Sequence, residues 1–159
     1  MSGLDQARFR EVLGHFATGV TIVTALEEGV PVGFTCQSFA ALSLDPPMVI
    51  LAPARSSTSW PRIAQAGAFC VNILEEHQEA LARAFAVSGG DKFDGVGWSQ
   101  GVVTGSPVIT GSLGVVECQL GDIFDGGDHE LVTGHVVAID VGEGNPLLFY
   151  RSGFGRFAP

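Results

Sequence analysis

The chain has 159 residues, 46% of them hydrophobic and only 16% charged, with a formal net charge of −9 at pH 7; this composition predicts one domain over residues 1–159 with a sizeable core and excludes a disordered chain. The acidic balance argues against nucleic acid or an anionic membrane surface as the main partner, since both reward basic patches. Apolar runs break at Pro, Gly, Asp or Arg well before the roughly 20 residues a bilayer needs, and the N-terminus does not read as a signal peptide, so a soluble, cytoplasmic protein is expected.

In chain order, Ser2 to Asp5 has capping-box spacing, and Phe9, Val12, Leu13 and Phe16 fall on one helical face, which predicts an opening amphipathic helix. A β-rich run, Thr21-Ile22-Val23-Thr24, is followed by Glu27-Glu28-Gly29 and then Val30 to Cys36, the pattern of a hairpin. Pro46-Pro47 reads as the end of a loop. Met48-Val49-Ile50-Leu51 then reads as a central strand buried on both faces. Trp60, Ile63 and Ala64 fit one face of a short helix with Pro61 near its start and Gly67 past its end, and Phe69 to Leu74 returns to strand.

Residues 77–86 predict a further helix with Leu81, Ala84 and Phe85 on one side. The Gly-rich stretch from Ser88 to Gly105 carries Asp91-Lys92-Phe93 and Trp98 without clear period and reads as either a functional or a mobile loop. Leu113 to Phe124 and Glu130 to Val141 form a second hairpin around a "DGGD" turn, and "PLLFYRSGFGRF" supplies one more strand and an aromatic tail. With 22 glycines and eight prolines spread along the chain, the expected fold is mainly β with short helices. About six or seven strands would make a closed or nearly closed barrel with helical lids.

Several chemistries are unsupported: there is no P-loop, no G-x-G-x-x-G opening a helix after a strand, and no G-x-S-x-G elbow. Cys36, Cys70 and Cys118 are far apart in apolar segments and read as buried hydrophobes in a reducing compartment. No metal site is expected. Thr133 stands where an EF-hand needs its bidentate Glu, and His129 and His135 would lie roughly 20 Å apart along a strand.

One stretch does point to a ligand. Arg55, Ser56, Ser57, Thr58 and Ser59 follow a strand directly and exceed what an N-cap requires, which makes them an anion cradle by chemistry. Thr35-Cys36-Gln37-Ser38-Phe39 ends a strand with small and amide side chains that let a flat heteroaromatic ring approach the backbone. Together they predict a nucleotide-like ligand with a planar ring. His129, after Gly126-Gly127-Asp128 at a hairpin mouth, is either a turn-end histidine bonded to Asp125, Asp128 or backbone, or a group that meets the ligand.

"FATGVTIVTA", "GFTCQSFAALSLDPPMVILAPARSSTSW", "FCVNIL", "DKF", "GSPVITGSLGVVEC" and "GGDHELVTGHV", in order from about Phe9 to Tyr150, resemble the flavin reductase components of two-component flavin-dependent monooxygenases. The resemblance implies an FMN-binding split β-barrel, Greek-key-like, in a homodimer. It also implies an oxidoreductase that binds FMN or FAD, takes hydride from NADH or NADPH, and releases reduced flavin to a separate oxygenase acting on an aromatic or phenolic substrate.

By position, the resemblance puts Thr35, Cys36, Gln37 and Ser38 along the isoalloxazine ring and ribityl chain, with Ala52, Pro53 and Ala54 bordering the ring. Ser57, Thr58 and Ser59 would hold the phosphate and Arg55 would supply countercharge. His129 would sit at the nicotinamide side and position the dinucleotide, walled by Phe85, Tyr150 and Phe154. Thr58 stands where relatives often carry a basic side chain, so FMN versus FAD stays open, as does NADH versus NADPH. The alternative is a flavin-binding electron carrier or sensor of the same fold without nicotinamide turnover.

Overall fold

The computed structural model describes residues 3–159. Ser2, half of the expected capping box, lies outside the described residues. Helix α1 (Gln6–Leu13) is instead capped by Asp5, whose carboxylate accepts the Ala7 N–H at 2.9 Å. Among the described residues the apolar face of α1 is left uncovered: Phe9, Val12, Leu13 and, just beyond it, Phe16 are all more than half exposed.

Strand β1 (Thr18–Gly19) is followed by the hairpin β2 (Thr21–Glu27) and β3 (Val30–Cys36), turned at Glu28 and Gly29 with φ of 51° and 80°, both in the left-handed region that a tight hairpin requires. Then come β4 (Phe39–Leu44), β5 (Pro47–Leu51), α2 (Trp60–Ala66), β6 (Ala68–Ile73) and α3 (Glu79–Phe85). The remainder is β7 (Trp98–Gln100), β8 (Pro107–Ile109), the long hairpin β9 (Gly114–Gly126) and β10 (His129–Val141), and finally β11 (Leu147–Tyr150) and β12 (Gly153–Arg156).

Seven strands form one antiparallel sheet in the order β3-β2-β6-β9-β10-β5-β4. Its two edge strands, β3 and β4, are consecutive in the chain, with only Gln37 and Ser38 between Cys36 and Phe39. Three Cα–Cα steps span at most about 11 Å. The sheet must therefore curl until its edges nearly meet, and because β3 and β4 do not pair, the barrel stays open along that seam.

Two apolar clusters hold this shape. Val23, Leu51, Ile63, Phe69, Val71 and Val132 fill the interior of the curl, while Ile22, Phe85, Phe93, Ile109 and Leu147 pack α3 and the smaller sheets against its outside. Residues 20–25 of β2 and the strand's approach serve both clusters by alternation, Val23 and Ala25 inward, Val20 and Ile22 outward. The strand buried on both faces is therefore β2. The expectation that Met48–Leu51 is central and doubly buried is corrected: β5 lies next to an edge, with Val49 and Leu51 buried and Met48 and Ile50 only partly covered.

Three further differences have local causes. Residues 40–44, expected within the loop that ends at Pro46-Pro47, form edge strand β4 together with Phe39, and the exposed Ala40, Ala41, Leu42 and Leu44 hide any alternation. Helix α3 buries Ala82 and Phe85 while Ala84 is exposed. The tail forms two strands, because Arg151 and Ser152 adopt φ of 49° and 64° and turn the chain without a glycine.

The Gly-rich stretch is tied down at two points. Phe93 is buried with its ring edge-on to Phe85, centroids 5.0 Å apart. Glu117, 3% exposed on β9, accepts the Thr104 N–H and hydroxyl at 2.8 Å and the Val103 N–H at 3.2 Å. Burial pushes the Glu117 carboxyl up, but these bonds, led by Thr104, prevail and hold it below its ordinary range.

Candidate functional site

A cavity of about 510 Å³ opens at the seam. Thr35, Cys36, Gln37 and Ser38 come from the seam itself, Ala54 and Ser56 to Ser59 from the loop after β5, Phe85 from the end of α3, Ser88 and Lys92 from the Gly-rich stretch, and His129 from the start of β10. The β5–β10 pairing extends beyond Leu51 and sets this loop in place. The Glu130 N–H donates to the Pro53 carbonyl and the Arg55 N–H to the Asp128 carbonyl, both at 2.9 Å, and Ala54 bridges to His129. The hydroxyl row and His129 are thereby fixed on one cavity.

Some polar groups there are already committed to the protein. The Thr35 hydroxyl donates to the Ala82 carbonyl at 2.6 Å and the Ser38 hydroxyl to the Ala52 carbonyl at 2.8 Å. The Ser57 hydroxyl accepts the Trp60 N–H at 3.1 Å, so Ser57 rather than Ser59 caps the seven-residue helix α2. Among the described residues, the hydroxyls of Ser56 and Thr58 and the amide of Gln37 line the cavity without a protein partner. They remain available to a ligand. Burial pushes the Cys36 thiol up, which makes it a neutral wall rather than a nucleophile.

The two cations near the loop behave differently. Arg55 turns away from the cavity: its guanidinium reaches Asp125 at 2.6 Å and Glu130 at 3.4 Å, and its Nε donates to the Gly127 carbonyl at 2.8 Å. Lys92, which sequence reasoning missed, lines the cavity. Its ammonium donates to the carbonyls of Phe85 at 3.1 Å and Gly33 at 3.2 Å and to the Ser59 hydroxyl at 3.4 Å, none of them a carboxylate. Burial lowers the Lys92 pKa. A partly desolvated cation facing only neutral acceptors, beside unpartnered hydroxyls, is suited to an anionic ligand. Its only sequence signal was "DKF", 33 residues from Ser59.

His129 is hydrogen-bonded to the acidic turn, Nδ1 lying 2.7 Å from Asp128 Oδ1, and this bond together with the histidine's charge holds the Asp128 carboxyl below its usual range. Of the other sequence-predicted residues, Pro53 is buried behind the lining and Ala52 borders an apolar groove with Phe16, Phe39, Ile50 and Leu131. Tyr150 and Phe154 lie on the terminal hairpin, Tyr150 edge-on to His15 and Phe154 under the Arg83 guanidinium at 4.8 Å. Neither lines this cavity within the chain.

A curled antiparallel sheet with a ligand-sized opening at its seam is a geometry that comparison can identify. Residues 13–158 match the flavin reductase like domain. The chain belongs to the flavin reductase-like family. It is 48% identical over 157 residues to the reductase subunit HsaB of a flavin-dependent monooxygenase from Rhodococcus jostii, covering 98% of this chain and 80% of that one. The crystal structure of nitrilotriacetate monooxygenase component B from Mycobacterium thermoresistibile superposes with a TM-score of 0.94 at 49% identity, covering 98% and 88% of the two chains. The NADH:FAD oxidoreductase SgcE6 of Streptomyces globisporus, solved with NAD and FAD fragments, superposes with a TM-score of 0.92 at 36% identity, covering 98% and 94%.

The fold is that family's split barrel, mainly β with three short helices. The seam cavity fits a flavin on its own chemistry. Its volume suits a small-molecule site, the Gln37 amide can meet a ring edge bearing donors and acceptors, and Lys92 with Ser56 and Thr58 matches a phosphate.

Proposed function

We propose that this protein is an NAD(P)H:flavin oxidoreductase that reduces FMN or FAD and passes the free reduced flavin to a separate monooxygenase acting on an aromatic or phenolic substrate. One observation carries the reading. The seam cavity brings a ring-facing strand exit, unpartnered hydroxyls, an ammonium without a carboxylate partner and a histidine into one space.

When bound, the flavin would supply a ring that accepts hydride from NAD(P)H, the hydride carrying both electrons and one proton and solvent supplying the second proton. The protein's part is orientation. Gln37 and the backbone of residues 35–38 border the ring, while Ser56, Thr58 and Lys92 hold the phosphate end. Ser57 and Ser59 shape that loop through their bonds to Trp60 and Lys92. Hydride transfer needs alignment more than acid–base help, and His129, held by Asp128, positions the nicotinamide.

The reading includes a single domain over residues 1–159, a homodimer and a cytoplasmic location. An apolar groove of about 390 Å³ joins Phe16, Phe39, Ile50 and Leu131 to Gln37 and Ser38 of the site, next to the exposed face of α1 and the exposed Leu42 and Leu44 of β4. A two-fold partner laid over these surfaces would bury them and complete the site's rim. Three free, buried thiols suit a reducing compartment, and no described helix is long and apolar enough to cross a membrane.

The test is a steady-state matrix of NADH and NADPH against FMN and FAD, followed through nicotinamide absorbance. Turnover with at least one pair is expected. Flavin binding without oxidation of either nicotinamide would make the protein a carrier, and failure to bind either flavin would remove the reading altogether.

A further inference from the structure

The hydroxyl row runs directly into Trp60, the first residue of α2, whose indole is absent from the cavity lining. Trp60 is 3% exposed. Its ring packs edge-on against Phe34, which lines the cavity, and against Phe69 of the barrel interior, both centroids 6.5 Å away. A buried indole N–H needs an acceptor. Here it donates to Glu130 Oε2 at 2.8 Å.

Glu130, beside His129 on β10, meets the loop at its start, middle and end. Its N–H donates to the Pro53 carbonyl at 2.9 Å, its Oε1 accepts from Arg55 at 3.4 Å, and its Oε2 accepts from Trp60. The middle contact leads to the hairpin turn, because Arg55 is also held by Asp125 and the Gly127 carbonyl. The end contact leads to the cavity. The Trp60 backbone N–H donates to the Ser57 hydroxyl at 3.1 Å, and the Ser57 N–H donates to the Ala54 carbonyl at 3.0 Å. Thr58 is thus bracketed by Ser57 and Trp60, and Ser56 by Ala54 and Ser57. These are the two cavity hydroxyls without a protein partner among the described residues. The indole bond is short, charge-assisted and shielded, whereas the Arg55 contact is long and exposed, so the former is the stronger restraint.

We propose that Trp60 is a positioning residue for the flavin's phosphate end, holding Ser56 and Thr58 on the cavity through its indole bond to Glu130. The inference rests on the flavin reductase reading above and adds to it a division of labour within one carboxylate. Oε2 serves the flavin side through Trp60. Oε1 serves the nicotinamide side through Arg55 and the turn that carries His129.

The experiment titrates FMN and FAD into wild type, Trp60→Phe and Glu130→Gln, then measures the KM for the nicotinamide at saturating flavin. Trp60→Phe keeps a ring between Phe34 and Phe69 but removes the N–H. It should weaken flavin binding about tenfold while the nicotinamide KM stays within about twofold of wild type. Glu130→Gln keeps an oxygen for the indole and sets an NH2 group against Arg55. It should do the reverse, raising the nicotinamide KM while flavin affinity stays within about twofold. Installing 3-benzothienylalanine at position 60 replaces the N–H by sulfur at nearly the same shape. It should repeat the Trp60→Phe result, and it decides the matter if the smaller ring fails to fold.

Unchanged flavin affinity on loss of the indole N–H overturns the proposal. So does an equal effect of that loss on flavin affinity and nicotinamide KM, because the bond would then support the barrel at large. A Glu130→Gln variant that loses flavin as severely as Trp60→Phe overturns the division between the two oxygens. In all three cases flavin reduction by wild type still stands. Failure of wild type to bind flavin or oxidise NAD(P)H would instead strike the flavin reductase reading.

Discussion

Arg55 Nη2 lies 2.6 Å from Asp125 Oδ1, so the one arginine of the hydroxyl-rich loop is bound to the acidic hairpin turn and not to the cavity. Nη1 reaches Glu130 at 3.4 Å, and the other Glu130 oxygen accepts the Trp60 indole N–H at 2.8 Å. Arg55 and Glu130 thus lock the loop before α2 to the hairpin that carries His129. Arg55, expected as countercharge, is paired with carboxylates, and Lys92 is the cation that lines the cavity.

Removing that lock should act on the nicotinamide rather than on the flavin. His129→Ala is expected to raise the KM for NAD(P)H about tenfold with flavin affinity largely kept, and Arg55→Ala to reproduce a weaker form of the same effect. The Arg55–Asp125 pair is exposed, and its loss should change unfolding free energy by about 1 kcal/mol or less. Steady-state kinetics with flavin titrations measure both, and an unchanged KM in His129→Ala would take that residue out of the site.

Lys92 carries the flavin prediction. Lys92→Met should weaken flavin binding about tenfold or more through loss of a charge-assisted contact to phosphate, and Lys92→Arg should restore part of it. The sign of the pH dependence follows from the lowered pKa of Lys92. The protonated form binds phosphate, which raises its pKa in the complex, so binding is fully present below the free-state pKa and declines as pH rises through the bound-state pKa. Fluorescence titration over the alkaline range should show this decline in wild type and not in Lys92→Met.

Glu117 should govern stability. A hydrogen-bonded carboxylate whose folded pKa lies below its unfolded value contributes stability that is present above the unfolded pKa and lost as pH falls through the folded one. Glu117→Gln should cost about 1–3 kcal/mol in denaturant unfolding at neutral pH, because Oε1, which accepts the Val103 and Thr104 donors, would lose the charge that strengthens those bonds. The acid-side loss of stability should shrink in the same variant. Gly101→Ala should destabilise the protein for a related reason: a Cβ there would overlap the Glu117 carboxylate.

The uncovered apolar surface predicts a two-fold assembly. Leu44 on β4 is 93% exposed and Phe16 is 79% exposed, and placing a charge on either should oppose burial against a second copy. Leu44→Asp and Phe16→Asp are expected to elute from gel filtration at half the wild-type mass. Flavin affinity should fall with them, since the groove that contains Phe16 also contains Gln37 and Ser38.

What the sequence determined by itself is local. Period-two and helical patterns placed the β2–β3 and β9–β10 hairpins and all three helices, because each depends on residues a few positions apart. The same locality made the ring-facing exit at Thr35–Ser38 and the hydroxyl row visible, since each is one continuous stretch. Edge strand β4 escaped because its outer residues are uncovered in the chain, so no alternation marks it.

Tertiary structure decided everything that depends on closure. The β5–β10 pairing sets Arg55 beside Asp125 of the neighbouring hairpin, and the curled sheet brings β3 to where Lys92, from a Gly-rich stretch, reaches both the Gly33 carbonyl and the Ser59 hydroxyl. Competition for partners settled which cation lines the cavity: Arg55 found carboxylates within reach and Lys92 found only carbonyls and a hydroxyl. A linear sequence lists both cations but holds no record of which acids will stand beside them once the barrel has closed.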